Sequence, residues 1–175
     1  MEKHLLHLYT GNGKGKTTAA MGQALRMLGH HRPVLITQFM KDGTSGELEA
    51  LKAFEQAIVF EGARMKGFFR NLTEEKQEET RREHREALEQ MILVIHEKKP
   101  ALTVLDELSV ALAMRLVSPE DAFRLIDTAL KYGDTVVTGR YASEQLIEKA
   151  DYVSRIEAVK HPFDEGQPAR EGIEF

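Results

Sequence analysis

An α/β fold, with a mostly parallel β-sheet flanked by helices, is predicted by three features of this chain. Short apolar runs of strand length recur at residues 5–9, 34–39, 102–105, 134–138 and 152–159. Segments of helical composition separate them, and strands joined through helices form parallel sheets covered on both faces. The first strand also runs straight into a glycine-rich turn that opens a helix.

Each element follows from local pattern. Residues 17–28 hold Ala19, Ala20, Ala24, Leu25 and Leu28, and Gly29 supplies a stop. Pro33 opens the run 34–39, which is too short for a helix and rich in β-formers. Residues 47–54 form a helical candidate. Residues 61–72 carry Gly62, Gly67, Phe68 and Phe69 without a regular period, so an exposed loop is expected there. A helix is predicted over 73–98. Its first half, 74–86, is wholly charged or polar and reads as a solvated face, while Leu88, Met91, Ile92 and Ile95 make an apolar stripe in the second.

Pro100 ends that helix, and the strand 102–105 terminates in two acids, Asp106 and Glu107. Ser118-Pro119-Glu120-Asp121 is a helix start: an N-cap hydroxyl, proline in the first turn, then acids at the positive dipole end. Ser143 caps a short helix before the last strand. With 175 residues and no internal repeat, residues 1–175 are expected to form one domain.

Composition narrows the function. The formal net charge of −4 gives no global attraction to nucleic acid. No apolar run approaches the ~18 residues of a membrane span, and residues 1–7 lack the apolar core of a signal peptide, so a cytoplasmic protein is expected. The absence of cysteine removes disulfides, iron–sulfur clusters and thiolate zinc sites. The seven histidines show no two-ligand spacing on one helix face.

The chemistry concentrates at Thr10-Gly11-Asn12-Gly13-Lys14-Gly15-Lys16-Thr17-Thr18. A phosphate-binding loop reads Gly, four residues, then Gly-Lys-Ser/Thr. Gly15-Lys16-Thr17 fits, whereas the first glycine position holds Thr10 and Gly11 stands one place late. The physics survives this. Alternating glycines let backbone amides turn inward, the following helix aims its N-terminus at the same anion, and Lys16 adds a point charge. Thr17 or Thr18 offers a hydroxyl to Mg²⁺, and Asp106 or Glu107 a carboxylate to the metal or its water. As neighbours at a strand end the two acids point apart, so one of them meets the metal. These residues imply an ATP-binding protein of the P-loop NTPase-like (RecA-like) class. They leave open whether it transfers phosphoryl groups or is a nucleotide-dependent binding module without catalysis.

Four segments together resemble the ATP:corrinoid adenosyltransferases, which act on cob(I)yrinic acid a,c-diamide and cobalamin. They are the loop and helix from Thr10 through Gly22 to Arg26; Gln38-Phe39-Met40-Lys41 with Gly46-Glu47; Leu105-Asp106-Glu107-Leu108; and Thr138-Gly139-Arg140 with Ala150-Asp151 and Val159-Lys160-His161-Pro162-Phe163-Asp164, ending Gly166, Ala169-Arg170 and Gly172-Ile173-Glu174. The resemblance implies that reduced Co(I) attacks C5′ of ATP, which lies reversed in the loop, and that triphosphate leaves. Residues 11–18 (Gly11, Asn12, Gly13, Lys14, Gly15, Lys16, Thr17 and Thr18) would bind the nucleotide, with Lys16 beside the leaving group. Thr17 and Glu107 would hold Mg²⁺ (or Mn²⁺). Arg26, Arg140, Lys160 and His161 would order the substrate pocket.

Phe68 matches a phenylalanine that works against the lower face of the corrinoid. Arg70 stands where the family has a tryptophan, so displacement of the lower cobalt ligand is expected to differ here, with Phe69 as an alternative participant. Longer members carry an N-terminal segment that covers the corrinoid, and nine residues precede Thr10 here. A second subunit or a more exposed corrinoid is the expected consequence. A homodimer, and a reductant protein such as a flavodoxin, are implied by the resemblance alone.

Overall fold

In a computed structural model, residues 3–40, 45–62 and 69–173 are described, apart from the side chains of Arg70 and Asp164; Phe68 lies outside the described residues. Six strands, β1 (Leu6–Thr10), β2 (Val34–Gln38), β3 (Ala57–Val59), β4 (Leu102–Asp106), β5 (Asp134–Thr138) and β6 (Tyr152–Arg155), form one sheet. Their order is β3-β2-β4-β5-β1-β6, and every pairing is parallel. All strands therefore end on the same edge of the sheet, and the loops that follow them share one rim.

Helix α1 (Lys16–Gly29) covers one face and α3 (Glu74–Lys98), α4 (Leu108–Ala113), α5 (Pro119–Ala129) and α6 (Glu144–Lys149) the other, with α2 (Gly46–Leu51) beside α1. The period of two along β2 sorts its side chains: Val34 and Ile36 meet Ala20, Ala24 and Leu28 of α1, while Leu35 joins the cluster of Leu88, Met91 and Ile95 from α3. Every residue of β2 and of β4 is buried, which is why neither shows the regular polar alternation of a half-exposed strand.

Local signals set the helix ends. Ser118 Oγ accepts from the Asp121 N–H at 3.1 Å, with Pro119 at the first helical position, and Ser143 Oγ accepts from Leu146 N–H at 3.2 Å. Helix α3 closes on Lys99 in a left-handed conformation immediately before Pro100.

Three expectations change. The segment 61–72 is not simply an exposed loop: Phe69 begins a single 3₁₀ turn (Phe69–Asn71) and is 3% exposed, packed in the same core cluster as Leu88. The polar half of α3 is not wholly solvated, because His84 lies one turn before Leu88 on the buried stripe and is itself 3% exposed. The last strand ends at Arg155 rather than at 159, because the chain after it bonds to the glycine-rich loop. Strand β3 and helix α4, of three and six residues, were too short to leave a periodic signal.

Candidate nucleotide site

Thr10 is the last residue of β1 and pairs with Arg155 in the ladder, so it needs no glycine and the turn begins one residue later. Beyond it, the loop is stitched to the segment that follows β6. The Ile156 N–H donates to the Thr10 carbonyl at 2.8 Å, the Gly13 N–H donates to the Ile156 carbonyl at 2.8 Å, and the Ala158 N–H donates to Asn12 Oδ1 at 3.2 Å. Gly11 has φ 103°, and a Cβ on it would stand 2.2 Å from the Ile156 oxygen; one on Gly13 would stand 2.6 Å from the Glu157 carbonyl carbon. These two glycines admit a crossing backbone. Gly15 is different. It is the left-handed N-cap of α1, and a Cβ there would meet nothing within 4 Å.

At the start of α1, Lys16 is 7% exposed and its Nζ donates to the Gly13 carbonyl at 2.7 Å. Thr17 Oγ1 donates to Asp106 Oδ1 at 2.8 Å, and Thr138 Oγ1 donates to the same oxygen at 2.6 Å. Gln38 Nε2 donates to Asp106 Oδ2 at 3.0 Å and is itself held through its Oε1 by Ser45 Oγ at 2.8 Å. Asp106 is fully buried, and these donors satisfy both of its carboxyl oxygens in place of water. The two acids diverge as their adjacency on a strand end requires. Asp106 meets Thr17, whereas Glu107 turns into a left-handed conformation (φ 62°) and opens α4, its N–H donating to Thr138 Oγ1 at 2.9 Å.

Burial pushes the Lys16 ammonium below its ordinary value of 10.5; the nearby Arg140 guanidinium pushes it the same way, and the Glu107 and Asp106 carboxylates oppose both. The charged form of Lys16, which an anion needs, is present below that lowered pKa and lost above it. The alkaline limb of kcat/KM for ATP is therefore expected below 10.5. In pH profiles, Arg140→Ala should move the limb upward and Glu107→Gln downward; a limb that neither substitution moves would contradict the electrostatic coupling.

The oxygen donors here fit a hard divalent cation. Thr17, Asp106 and Glu107 offer a hydroxyl and carboxylates beside the loop, and among the described residues no group of three or more His, Cys, Asp or Glu side chains forms a complete cage.

The remaining expected residues divide into three places. Asn12, Lys14 and Thr18 are exposed around the loop. Arg140 is exposed on one side of it and, with Gly11, Asn12, Tyr141 and Arg155, lines a cavity of about 290 Å³. On the other side Lys14, Lys160 and His161 line a cavity of about 340 Å³. There His161 Nδ1 accepts from the Phe163 N–H at 3.2 Å, and Lys160 Nζ stands 3.8 Å from Glu165.

Arg26 is not brought to the loop. It lies in the last turn of α1, ten residues beyond Lys16 and so about 15 Å along the helix, near Tyr9. Thr138, Gln38 and Arg155 enter the site with roles that sequence reasoning did not assign. Their signal was available: neighbouring buried strands β2, β4 and β5 each end on a polar residue, Gln38, Asp106 and Thr138.

A family model described as ATP:corrinoid adenosyltransferase BtuR/CobO/CobP matches residues 2–175. The chain belongs to this family. Among curated corrinoid adenosyltransferases, that of Sinorhizobium sp is 32% identical over 99% of this chain and 81% of its own length. That of Escherichia coli K12 is 32% identical over 99% of this chain and 87% of its own. The corrinoid adenosyltransferase CobA of Salmonella typhimurium LT2 is 33% identical, with the same coverage of 99% and 87%. Adenosyltransferase similarity thus covers the loop, the acidic strand end and the C-terminal segment together.

Proposed function

We propose that this chain transfers the 5′-deoxyadenosyl group of ATP to the Co(I) of a reduced corrinoid and releases triphosphate. The observation that carries the proposal is the match to ATP:corrinoid adenosyltransferases along the whole chain, including the glycine-rich loop and its buried lysine. Co(I) supplies the electron pair that forms the bond to C5′. The pair of the C5′–O bond leaves with the triphosphate, so no protein base is needed. The protein's share is to align cobalt with C5′ and to stabilise the departing polyanion.

In this reading the amides of residues 11–18 and the Lys16 ammonium receive the triphosphate, helped by the N-terminal dipole of α1. Thr17 and Glu107 would hold Mg²⁺ (or Mn²⁺), with Asp106 fixing the Thr17 hydroxyl; the ion would add positive charge beside the phosphates. Arg140, Lys160 and His161 are assigned to the two cavities that flank the loop, and Phe68 to the lower face of the corrinoid. Asn12 and Lys14 border the nucleotide.

A separate reductant protein such as a flavodoxin, which the family resemblance implies, would deliver the electron that brings the cobalt to Co(I). A homodimer accords with β6, an edge strand whose four residues are all exposed. Among the described residues no helix is long and apolar enough to cross a membrane, and a cytoplasmic enzyme is the reading adopted.

Because no P–O bond breaks, an ATP analogue with a β,γ-imido bridge is expected to remain a substrate. Mixing it with the protein, Mg²⁺ and chemically reduced cobalamin should give the absorption spectrum of an alkylated corrinoid. Alkylation with ATP but none with the analogue, despite equal binding, would contradict cleavage at C5′.

A further inference from the structure

A cavity of about 430 Å³ opens between α3, the end of α4 and the start of α5, and none of the residues assigned above lines it. Leu88, Leu112 and Val117 give it an apolar floor, and Arg81, Arg85 and Arg115 bring three guanidinium groups to its edge. The one acid in its lining, Asp121, already accepts from Ser118 Oγ at 2.8 Å and from Arg124 at 3.2 Å, and stands 3.9 Å from Arg85. A cationic rim in a chain of net charge −4 is a local departure from its overall charge.

Arg115 is the informative member. It sits at the left-handed position just past α4, with φ 56°, and the Leu116 N–H behind it donates to the Ala111 carbonyl at 2.9 Å. Glycine is the residue that occupies this position without strain. The Arg115 side chain is nonetheless exposed, and among the described residues its guanidinium has no ion pair or hydrogen bond. Arg81 is held in place from several sides: its Nε donates to the Arg115 carbonyl at 3.1 Å, its Nη1 pairs with Glu78 at 3.1 Å, and its guanidinium lies 5.2 Å from the Phe69 ring centroid.

We propose that this cavity binds a carboxylate borne on an apolar body. Guanidinium groups recognise carboxylates through paired N–H donors, and the leucine and valine floor would take the hydrocarbon. Two sources share that chemistry: an acidic side chain on the periphery of the corrinoid, or a separate small organic acid. The first rests on the proposed adenosyl transfer. It is favoured by position, since α4 runs from Glu107 to the cavity over six residues, about 9 Å, and Arg81 ties the cavity to the Phe69 turn.

Arg115→Gly tests this without endangering the fold, because glycine relieves the left-handed backbone while removing the charge. Arg82→Gln is the charge control, since Arg82 pairs with Glu86 outside the cavity. KM is measured for a corrinoid with free carboxylates and for a fully amidated one, and melting temperature is measured with and without octanoate. If the corrinoid supplies the carboxylate, Arg115→Gly should raise KM for the carboxylated substrate roughly tenfold and leave the amidated one unchanged. If a separate acid does, octanoate should raise the melting temperature of the unaltered protein but not of Arg115→Gly, with both KM values constant. The proposal is overturned if Arg115→Gly changes neither readout, or if Arg82→Gln reproduces its effect. Failure to alkylate any corrinoid would sink the transferase reading instead, and the octanoate arm would still report on the cavity.

Discussion

Lys16→Met should lower kcat for corrinoid alkylation by about 10²–10³-fold, the loss typical of removing one preorganised charge from a developing anion. The buried Nζ faces the Gly13 carbonyl within the loop, so it is already placed before the triphosphate begins to leave. Its depressed pKa reflects chiefly the cost of desolvating an ammonium there, and an arriving polyanion would offset that cost. Methionine keeps most of the volume while removing the charge and the hydrogen bond to the Gly13 carbonyl, so the melting temperature should fall by no more than a few degrees. Single-turnover kinetics with pre-reduced corrinoid would separate this from slow cobalt reduction. Turnover within threefold of the unaltered enzyme would remove Lys16 from the catalytic account.

Gly11→Ala should be the most damaging of the loop substitutions for the fold itself. It places a Cβ 2.2 Å from the Ile156 carbonyl oxygen, on a backbone already at φ 103°. Strain and overpacking together are expected to cost about 3 kcal/mol, or roughly a 6–12 °C fall in melting temperature for a domain of this size. Gly15→Ala is the internal comparison. It shares the positive φ, at 116°, yet meets no atom within 4 Å, so it should cost only the backbone strain, about 1–2 kcal/mol. Equal melting temperatures for the two variants would show that the chain after β6 does not press on the loop as described.

That contrast marks where sequence reasoning reached and where it stopped. The loop, its lysine, the acidic strand end and the parallel order of elements were legible because each depends on residues adjacent in the chain. The reason for Gly11 and Gly13 was not, because the atoms that demand glycine belong to Ile156 and Glu157, nearly 150 residues away in sequence. Long-range approach also hid the role of Thr138, whose hydroxyl joins Asp106 to the Glu107 N–H. Phe69 was read into an exposed loop because 61–72 has no regular period, and His84 into a solvated face from its charged neighbours; Phe69 is buried in the core cluster of α3, and His84 lies on that helix's buried stripe. Arg26 marks another limit: its place in the family pattern implies the substrate pocket, and its position in the last turn of α1, near Tyr9, sets that part of the pocket apart from the loop and Lys16.

The central claim is that the loop binds a leaving triphosphate rather than a phosphate under attack. Phosphorus NMR of the product mixture, after incubation with Mg-ATP and chemically reduced cobalamin, tests it most directly. Intact triphosphate, formed one for one with a cobalt–carbon bond, is the expected result. ADP and phosphate, without cobalt alkylation, would contradict it.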